Sequence, residues 1–379
     1  MHTPRVPLSL LAVGACASAA FLIAAPAASA IGSVGCGATI TESVKLLGNL
    51  DCSAESPAPG TAVLTVAADN VTIDLGNYSI IDADDEYEIL IRVDGRRNVT
   101  IKNGTVDGGA DAGISIKDSN NVRVNRVSVF SVATSVADPY DTAGIYVSGS
   151  TRVHLQRVTV GFNGDDGIYI TGSQRVEIDR ANSSENYDDG LDVENSGKVE
   201  VHRSRFSRNT NGDGVEVDDT PGVHLHFVTA DFNSGDGIDL DTTHGARIDH
   251  VSAKGNGDDG MEVDDTDGIR IRKSTFTNSL DDGLDIRNSS FDLHRVTVGG
   301  NSDDGLDVDT AKPFRIQYLT ATTNGDDGVD IEGNSGATSD YIVQRTHSKL
   351  NGDNGFDLDF PVTGRRNSAR GNAASNVAP

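Results

Sequence analysis

A glycine followed by an apolar–polar–apolar triplet recurs at nearly constant spacing through most of this chain of 379 residues. Successive copies are 22 to 27 residues apart, and six of the nine intervals are 23 residues. The repeat is marked by Gly144, Gly167, Gly190, Gly214, Gly237, Gly260, Gly283, Gly305, Gly328 and Gly355. A fixed period of this length indicates a stack of equivalent units rather than several independent domains.

Each repeat unit contains two further apolar–x–apolar steps, such as Val153/Leu155 and Val176/Ile178. Alternation with a period of two is typical of strands with one buried face, and apolar residues do not recur at helical spacing over the length of a helix. Because equivalent strands return in the same direction every 23 residues, they must stack in parallel, each coil about 4.8 Å above the last. We therefore predict an all-β, single-domain parallel β-helix (a solenoid) of about twelve coils.

A column of asparagines recurs with nearly the same period and supports this prediction. Its members are Asn163, Asn186, Asn209, Asn233, Asn256, Asn278, Asn301, Asn324 and Asn351. Stacked asparagines can hydrogen-bond amide to amide along the axis of such a structure. We expect the repeat glycine, which follows four or five residues later, to adopt a left-handed backbone conformation at the turn.

The sequence resembles the right-handed parallel β-helix repeat family of the pectate-lyase-like superfamily. The resemblance covers 69–360 and is clearest in Asn70–Ile80 and in the Asn-Gly-Asp-Asp-Gly copies such as Asn256–Gly260. It implies right-handed coils, as does the chirality of parallel crossovers. Members of this superfamily include polysaccharide lyases, glycoside hydrolases, epimerases and non-catalytic surface proteins, so the resemblance does not select one activity.

The first thirty residues have the pattern of a secretion signal. Arg5 precedes an apolar run from Leu8 to Pro26, and Ala28–Ala30 is a small-x-small cleavage site. We predict that 1–30 is a signal peptide cleaved after Ala30. The mature protein would then be secreted and extracellular, with no membrane association.

Cleavage would leave Cys36 and Cys52, and two cysteines in an exported chain predict one disulfide. This bridge would lie in an N-terminal cap, 31–68. The β-helix is predicted to cover 69–360, and 361–379 is predicted to be a frayed C-terminal tail.

The charge of the chain excludes some partners and is arranged in columns. With 57 acidic and 31 basic residues, the formal charge of −26 argues against binding to nucleic acid or an anionic membrane surface. Two positions of the repeat, one before the glycine (position −1) and two after it (position +2), are acidic in coil after coil. These residues are Asp189, Asp192, Asp213, Glu216, Asp236, Asp239, Asp259, Glu262, Asp282, Asp285, Asp304, Asp307, Asp327 and Asp330.

Because apolar residues flank position +2, its carboxylates should point outward and form one acidic face. A cationic column follows the second strand, at Arg126, Arg157, Arg180, Arg203, His250, Lys273, Arg295 and Arg345. Histidines lie beside or within it, at His154, His202, His224, His226 and His294. The solenoid is therefore predicted to be negative along one face and weakly positive along another.

Two explanations of the acidic columns remain open. Aspartate and glycine are ordinary turn residues, the aspartate can bond its own backbone at each corner, and outward acids keep a repeat protein soluble. Alternatively, bound cations neutralise the acidic columns. Neighbouring charges about 4.8 Å apart repel by about 0.9 kcal/mol even at the dielectric constant of water, and a cation removes this repulsion. Clustered carboxylates and turn carbonyls are the ligands that calcium prefers, so Ca²⁺ is the predicted cofactor.

Candidate substrate-binding residues are the tyrosines near the N-terminal coils, since carbohydrate sites usually offer an aromatic platform. We select Tyr146, Tyr169 and Tyr187. Beside them, one long insertion separates Gly113 from Gly144, and insertions on a solenoid build the walls of grooves.

That insertion contains Asp138-Pro139-Tyr140-Asp141, which resembles the Asp-Pro-His-acid element of alginate-type epimerases with tyrosine in the place of histidine. Asp138, Tyr140 and Asp141 are therefore the candidate catalytic residues, and a proline-containing turn is the structural alternative.

Two functions follow as hypotheses. The first is a secreted, monomeric protein that binds or processes an extracellular, acidic polysaccharide with the help of calcium. The second is a non-catalytic, calcium-binding surface or matrix protein, which explains the uniformity of the repeat without any unique residue.

Overall fold

The computed structural model describes residues 34–133, 142–333, 341–359 and 361–375. Every regular element in these ranges is a β-strand, and consecutive coils pair in parallel, which confirms the predicted all-β parallel β-helix. Fourteen coils can be followed, against about twelve predicted, because the irregular repeats at both ends also form strands. The described ranges include no helix long and apolar enough to cross a bilayer. The predicted signal peptide, 1–30, and the candidate residues Asp138, Tyr140 and Asp141 lie outside them.

The coils contribute one strand each to three longitudinal faces. The first sheet contains Ala38–Ile40, Ala62–Val66, Ile89–Asp94, Ala112–Lys117, Ala143–Ser148, Asp166–Thr171, Leu191–Glu194, Val215–Asp218, Ile238–Asp241, Glu262–Asp264, Asp285–Arg287 and Asp307–Asp309, and the pair Asp330–Ile331 and Asp357–Leu358 continues it. The second sheet contains Val44–Lys45, Thr72–Asp74, Thr151–Gln156, Gln174–Asp179, Gly197–His202, His224–His226, Arg247–Asp249, Asp267–Arg272, Ser290–His294, Phe314–Gln317, Tyr341–Gln344 and Thr363–Arg365.

The third sheet contains Leu50–Asp51, Ser79–Asp82, Thr159–Gly161, Asn182–Ser184, Arg205–Ser207, Thr229–Asp231, Ser252–Lys254, Thr275–Thr277, Thr297–Gly299, Thr320–Thr322, His347–Lys349 and Ser368–Arg370. Two long strands, Thr100–Gly108 and Asn120–Phe130, run through the corner and belong to both the second and the third sheet.

Equivalent residues lie directly over one another in successive coils. Asp192 pairs with Glu216, Glu216 with Asp239, and Asp239 with Glu262. Since the side chain of each strand residue leaves the sheet on a fixed side, a column in the sequence becomes a straight file on the surface. The files on which the acidic-face hypothesis depends are therefore present.

The solenoid extends beyond the predicted range 69–360 at both ends. Ala38–Ile40 already pairs with Ala62–Val66, and Thr363–Arg365 pairs with the strand before it in the second sheet. The predicted disulfide is confirmed: Cys36 and Cys52 are joined, with Cα atoms 5.8 Å apart. It links the start of the first coil to its third strand, so the region predicted as a cap contains a complete coil.

The repeat glycines are required by space and not by a left-handed backbone. None of the ten has a positive φ, so our expectation was wrong. A Cβ atom on Gly260 would lie 2.4 Å from the carbonyl oxygen of Gly283 and 2.8 Å from Cβ of Phe276. The glycine thus allows one coil to approach the next above a core packed with aromatic and branched side chains.

The predicted asparagine ladder is present, with one correction. The amide Nδ2 of Asn163 donates to Oδ1 of Asn186 over 2.8 Å, and similar bonds of 3.0 to 3.3 Å join most later neighbours. Asn278 is not a member, because it is exposed and has a φ of 60°. The buried Ser279 occupies the ladder position, and its backbone N–H donates to Oδ1 of Asn301. The file of buried side chains follows the 23-residue register, and Asn278 is one residue short of it.

Candidate functional site

The outer surface of the first sheet changes chemistry along the axis. In its N-terminal coils it carries a small apolar cluster, made of Ala62, Ile89, Ala112, Ala143, Tyr146 and Tyr169. Tyr146 pairs with Tyr169, and Tyr169 pairs with Asp192, the first of the in-register acids. The tyrosines and the position +2 carboxylates therefore occupy one continuous file.

Two of the three candidate tyrosines lie together. The ring centroids of Tyr146 and Tyr169 are 5.5 Å apart, and both side chains are buried. Nζ of Lys117 lies 4.7 Å from the centroid of the Tyr146 ring. The hydroxyl of Tyr169 donates to Oε2 of Glu194 over 2.8 Å. Burial, reinforced by this bond, raises the pKa of Tyr169 well above its ordinary value.

Tyr187 is separate from this pair. Its side chain is 55% exposed and lies at the corner between the third and first sheets. Within the described ranges, no ring contact joins it to Tyr146 or Tyr169. The rings of Tyr146 and Tyr169 form the boundary of the acidic file, and the three tyrosines do not make one platform.

The position −1 aspartates bind the backbone of the neighbouring coil. Oδ1 of Asp213 accepts a hydrogen bond from N–H of Asp236 over 2.6 Å, and Asp236 accepts one from Asp259 over 2.6 Å. The same bond recurs at the other coils, from Asp166 to Asp327. Backbone bonding by these aspartates was one of our two explanations. It occurs between coils, whereas we expected it within each corner.

These bonds use Oδ1 of each aspartate, and each carboxylate has a second oxygen. Ligand oxygens of Asp213, Asp236 and Asp239 all lie within 4.8 Å of one another. Burial raises the pKa of Asp213 to about 7, although the bond from Asp236 opposes the change. Burial, followed by repulsion from neighbouring carboxylates, raises the pKa of Asp236 to about 9 and that of Asp239 to about 8.

Aspartates two residues before the glycine extend this arrangement toward the corner. Their ligand oxygens converge with those of position −1 in the groups Asp165–Asp166–Asp188, Asp236–Asp258–Asp259 and Asp281–Asp282–Asp303. Our selection of metal ligands did not include the residues at position −2, although the same period marks them. All of these donors are oxygens, which suits a hard cation such as calcium.

Arg287 interrupts the acidic face and neutralises part of it. It stands where the other coils have an acid four residues after the glycine, and its guanidinium forms ion pairs with Asp285 and Glu262. The pKa of Asp285 is nevertheless raised to about 7, because burial outweighs the attraction of Arg287. The coils around Asp239 have no such internal cation among the ion pairs of the described residues. The group Asp213–Asp236–Asp239 is therefore the strongest candidate cation site.

The predicted cationic column lies at the corner that follows the second sheet. Arg157, Arg180, Arg203 and His250 all have φ between 50° and 57°, so a left-handed residue turns the chain there in each coil. On the second sheet itself, a cavity of about 290 Å³ is lined largely by basic side chains. Its polar residues are Asn121, Arg123, Arg152, His154, Arg175, Glu177, Lys198 and Glu200. The predicted polarity of the solenoid thus has a negative first sheet and a more positive second sheet.

The comparisons agree with this architecture. Residues 143–265 and 236–377 match the family described as the right-handed β-helix region. The A-module of mannuronan C-5 epimerase AlgE6 from Azotobacter vinelandii is similar in structure, with a TM-score of 0.51 over 90% of this chain and 91% of that one, at 14% identity.

A double mutant of the periplasmic alginate epimerase AlgG gives a TM-score of 0.53 over 87% of this chain and 84% of that one, at 14% identity. No curated protein matches in sequence. Identities this low carry information about the fold alone, whereas the family match covers more than half of the chain. The chain belongs to the right-handed β-helix family.

Proposed function

We propose that this protein is a secreted β-helix that binds an acidic polysaccharide through divalent cations held on its first sheet. The observation that carries the proposal is the convergence of Asp213, Asp236 and Asp239, whose ligand oxygens lie within 4.8 Å of one another in a file of in-register acids. Calcium is the cation that fits best, because it takes six to eight oxygen ligands and tolerates irregular geometry.

The raised pKa values support a cation at this place. A carboxylate whose pKa lies at about 8 or 9 is unstable as an isolated anion at neutral pH. The protein can offset the cost of burying these charges and their mutual repulsion either by keeping protons or by binding a cation. In an extracellular medium that contains calcium, the second route removes the repulsion of several carboxylates at once.

A polyuronate fits the site because it brings carboxylates of its own. Three protein carboxylates supply only part of a calcium coordination shell, so sugar carboxylates could complete it. Similar β-helices in the comparisons are alginate epimerases, which supports an acidic polysaccharide as the partner. Tyr146 and Tyr169 lie at the N-terminal end of the same file, but both side chains are buried, so they border the binding face and offer little surface to a sugar.

The described acidic face offers no unique set of catalytic residues. The acidic groups repeat from coil to coil, and a lyase, hydrolase or epimerase needs one unique set of residues. The candidates that break the repeat, Asp138, Tyr140 and Asp141, remain a proposal. The uniformity of the described face favours the second candidate function, a non-catalytic calcium-binding surface or matrix protein.

The binding proposal is tested with immobilised polyuronates in calcium or in chelator. We expect retention in calcium, release by the chelator, and weak retention of the double variant Asp213→Asn/Asp239→Asn. The control is Asp292→Asn, which removes a carboxylate that pairs in register with Arg270 and Arg315 on the second sheet. Retention in the presence of the chelator would contradict calcium-dependent binding. It would indicate that the polysaccharide binds in the basic cavity of the second sheet instead.

The same incubations separate the two candidate functions. Unsaturated products would indicate a lyase, new reducing ends a hydrolase, and a changed uronate composition an epimerase. Binding without any of these changes supports the non-catalytic alternative, and no binding to a broad panel contradicts the polysaccharide proposal.

A further inference from the structure

A cluster of histidines on the second sheet is separate from the acidic face. The ring of His226 lies 5.9 Å from His202, 5.7 Å from His224 and 5.9 Å from His250, measured between centroids. His202 pairs in register with His226, and His226 pairs with Asp249. The 23-residue period thus assembles residues that are distant in the sequence.

The geometry within this cluster is that of a ligand set. Nε2 of His226 lies 3.8 Å from Oδ2 of Asp249, and Nδ1 of His250 lies 3.1 Å from Oδ1 of the same aspartate. Nδ1 of His250 is shielded from solvent and makes no hydrogen bond in the described structure. The three residues each place one ligand atom within 4.8 Å of the others.

We propose that His226, Asp249 and His250 bind a divalent transition metal, for which zinc has the best-matched ligand preference. In tetrahedral zinc sites with bonds of about 2.0–2.1 Å, neighbouring ligand atoms are about 3.3 Å apart. The two measured distances, which involve different oxygens of Asp249, lie on either side of this value, and one ring nitrogen of each histidine lies within 4.8 Å of the other. Two imidazole nitrogens also distinguish it from the oxygen-only face, which suits calcium.

The surroundings hold the ligands in place and leave one position open. Phe227 packs against both imidazoles, with ring centroids 4.3 Å from His226 and 4.6 Å from His250. The side chains of the three ligands remain about one third exposed, so a fourth ligand can enter from solvent.

Basic residues beside the site act against a cation and in favour of an anionic fourth ligand. A cavity of about 200 Å³ adjoins Asp249 and is also lined by Arg247, Arg270 and Arg272. These arginines lower the affinity for a bare metal ion. A carboxylate or another anion bound to the metal offsets that repulsion, since it brings negative charge among the guanidinium groups.

The test is titration of the full chain with Zn²⁺ and with Co²⁺ in excess calcium, which competes for the acidic face under the proposed function. We expect one Co²⁺ per chain, with the intense visible absorption of a four-coordinate, nitrogen-ligated ion that zinc displaces. His226→Gln and His250→Asn should each weaken binding at least tenfold. Asparagine is chosen because His250 has a φ of 57°, which asparagine tolerates.

Two control variants define the result. His294→Gln changes a histidine of the same sheet whose ring contacts Tyr318, and Asp236→Asn changes the acidic face. Both should bind cobalt like the parent chain. Unchanged binding in His226→Gln, or loss of binding in Asp236→Asn, overturns the proposal. Circular dichroism checks that His250→Asn folds. If His250→Asn does not fold, cobalt binding by His226→Gln alone tests the proposal.

Discussion

Replacement of Asp239 by asparagine should stabilise the metal-free protein at neutral and alkaline pH. Asp239 lies between Glu216 and Glu262 in the position +2 file, and burial and repulsion raise its pKa to about 8. A carboxyl group with a higher pKa in the folded than in the unfolded chain binds its proton more tightly when folded. The stability of the metal-free protein therefore falls as the pH rises from about 4, the ordinary pKa, to about 8.

Two estimates give the size of the effect. A pKa of about 8 against an ordinary value near 4 means that Asp239 costs the folded state up to about 4 kcal/mol at pH 7. Independently, two neighbouring charges about 4.8 Å away contribute about 2 kcal/mol together at the dielectric constant of water and about 7 kcal/mol at an effective value of 20. Allowing for relaxation, we expect Asp239→Asn to raise the free energy of unfolding by about 2–4 kcal/mol near pH 8.

The assay is urea unfolding in chelator near pH 8 and near pH 4.5, followed by circular dichroism. The advantage of Asp239→Asn should shrink to below about 1 kcal/mol at the lower pH, where the wild-type carboxyl is largely protonated. Calcium should stabilise the wild-type protein more than the variant. Asp292→Asn, which removes a carboxylate that lies in register with two arginines, should show no stabilisation at either pH. A variant that is no more stable than the wild type in chelator near pH 8 would refute the repulsion argument.

Three further predictions concern the scaffold. Gly260→Ala should destabilise the protein by about 3 kcal/mol in thermal unfolding, because the new methyl group overlaps the next coil, whereas Gly48→Ala, with open space around it, should be near neutral. Asn301→Ala should cost about 1–3 kcal/mol in urea unfolding, since it leaves the buried backbone N–H of Ser279 without a partner and removes one of the two hydrogen bonds that Oδ1 of Asn324 accepts. Joint replacement of Cys36 and Cys52 by serine should cost about 3 kcal/mol, the chain entropy of a loop of this length, and should first increase amide exchange in the N-terminal coil.

Much of the architecture could be predicted because every coil has nearly the same length. A constant period forces equivalent residues into files, so the parallel strands, the acidic columns and most of the asparagine ladder follow from counting. Counting failed at Asn278, where a one-residue irregularity exchanges the buried position for an exposed one. It also gave the wrong reason for the repeat glycines, since the close approach of Gly260 to the next coil is visible only in three dimensions.

The sequence by itself determined which residues share a file along the axis, and with it the fold class and the segregation of charge. The disulfide followed separately, from the two cysteines Cys36 and Cys52. Only the tertiary structure decided which files meet around each corner, because that depends on where left-handed residues turn the chain. Corner geometry brings Asp236 beside Asp239, places His250 beside the in-register pair of His226 and Asp249, and places Tyr187 away from the other two tyrosines. The constant period aligns equivalent residues along the axis. Contacts between different files around a coil depend on the path of the backbone through its corners.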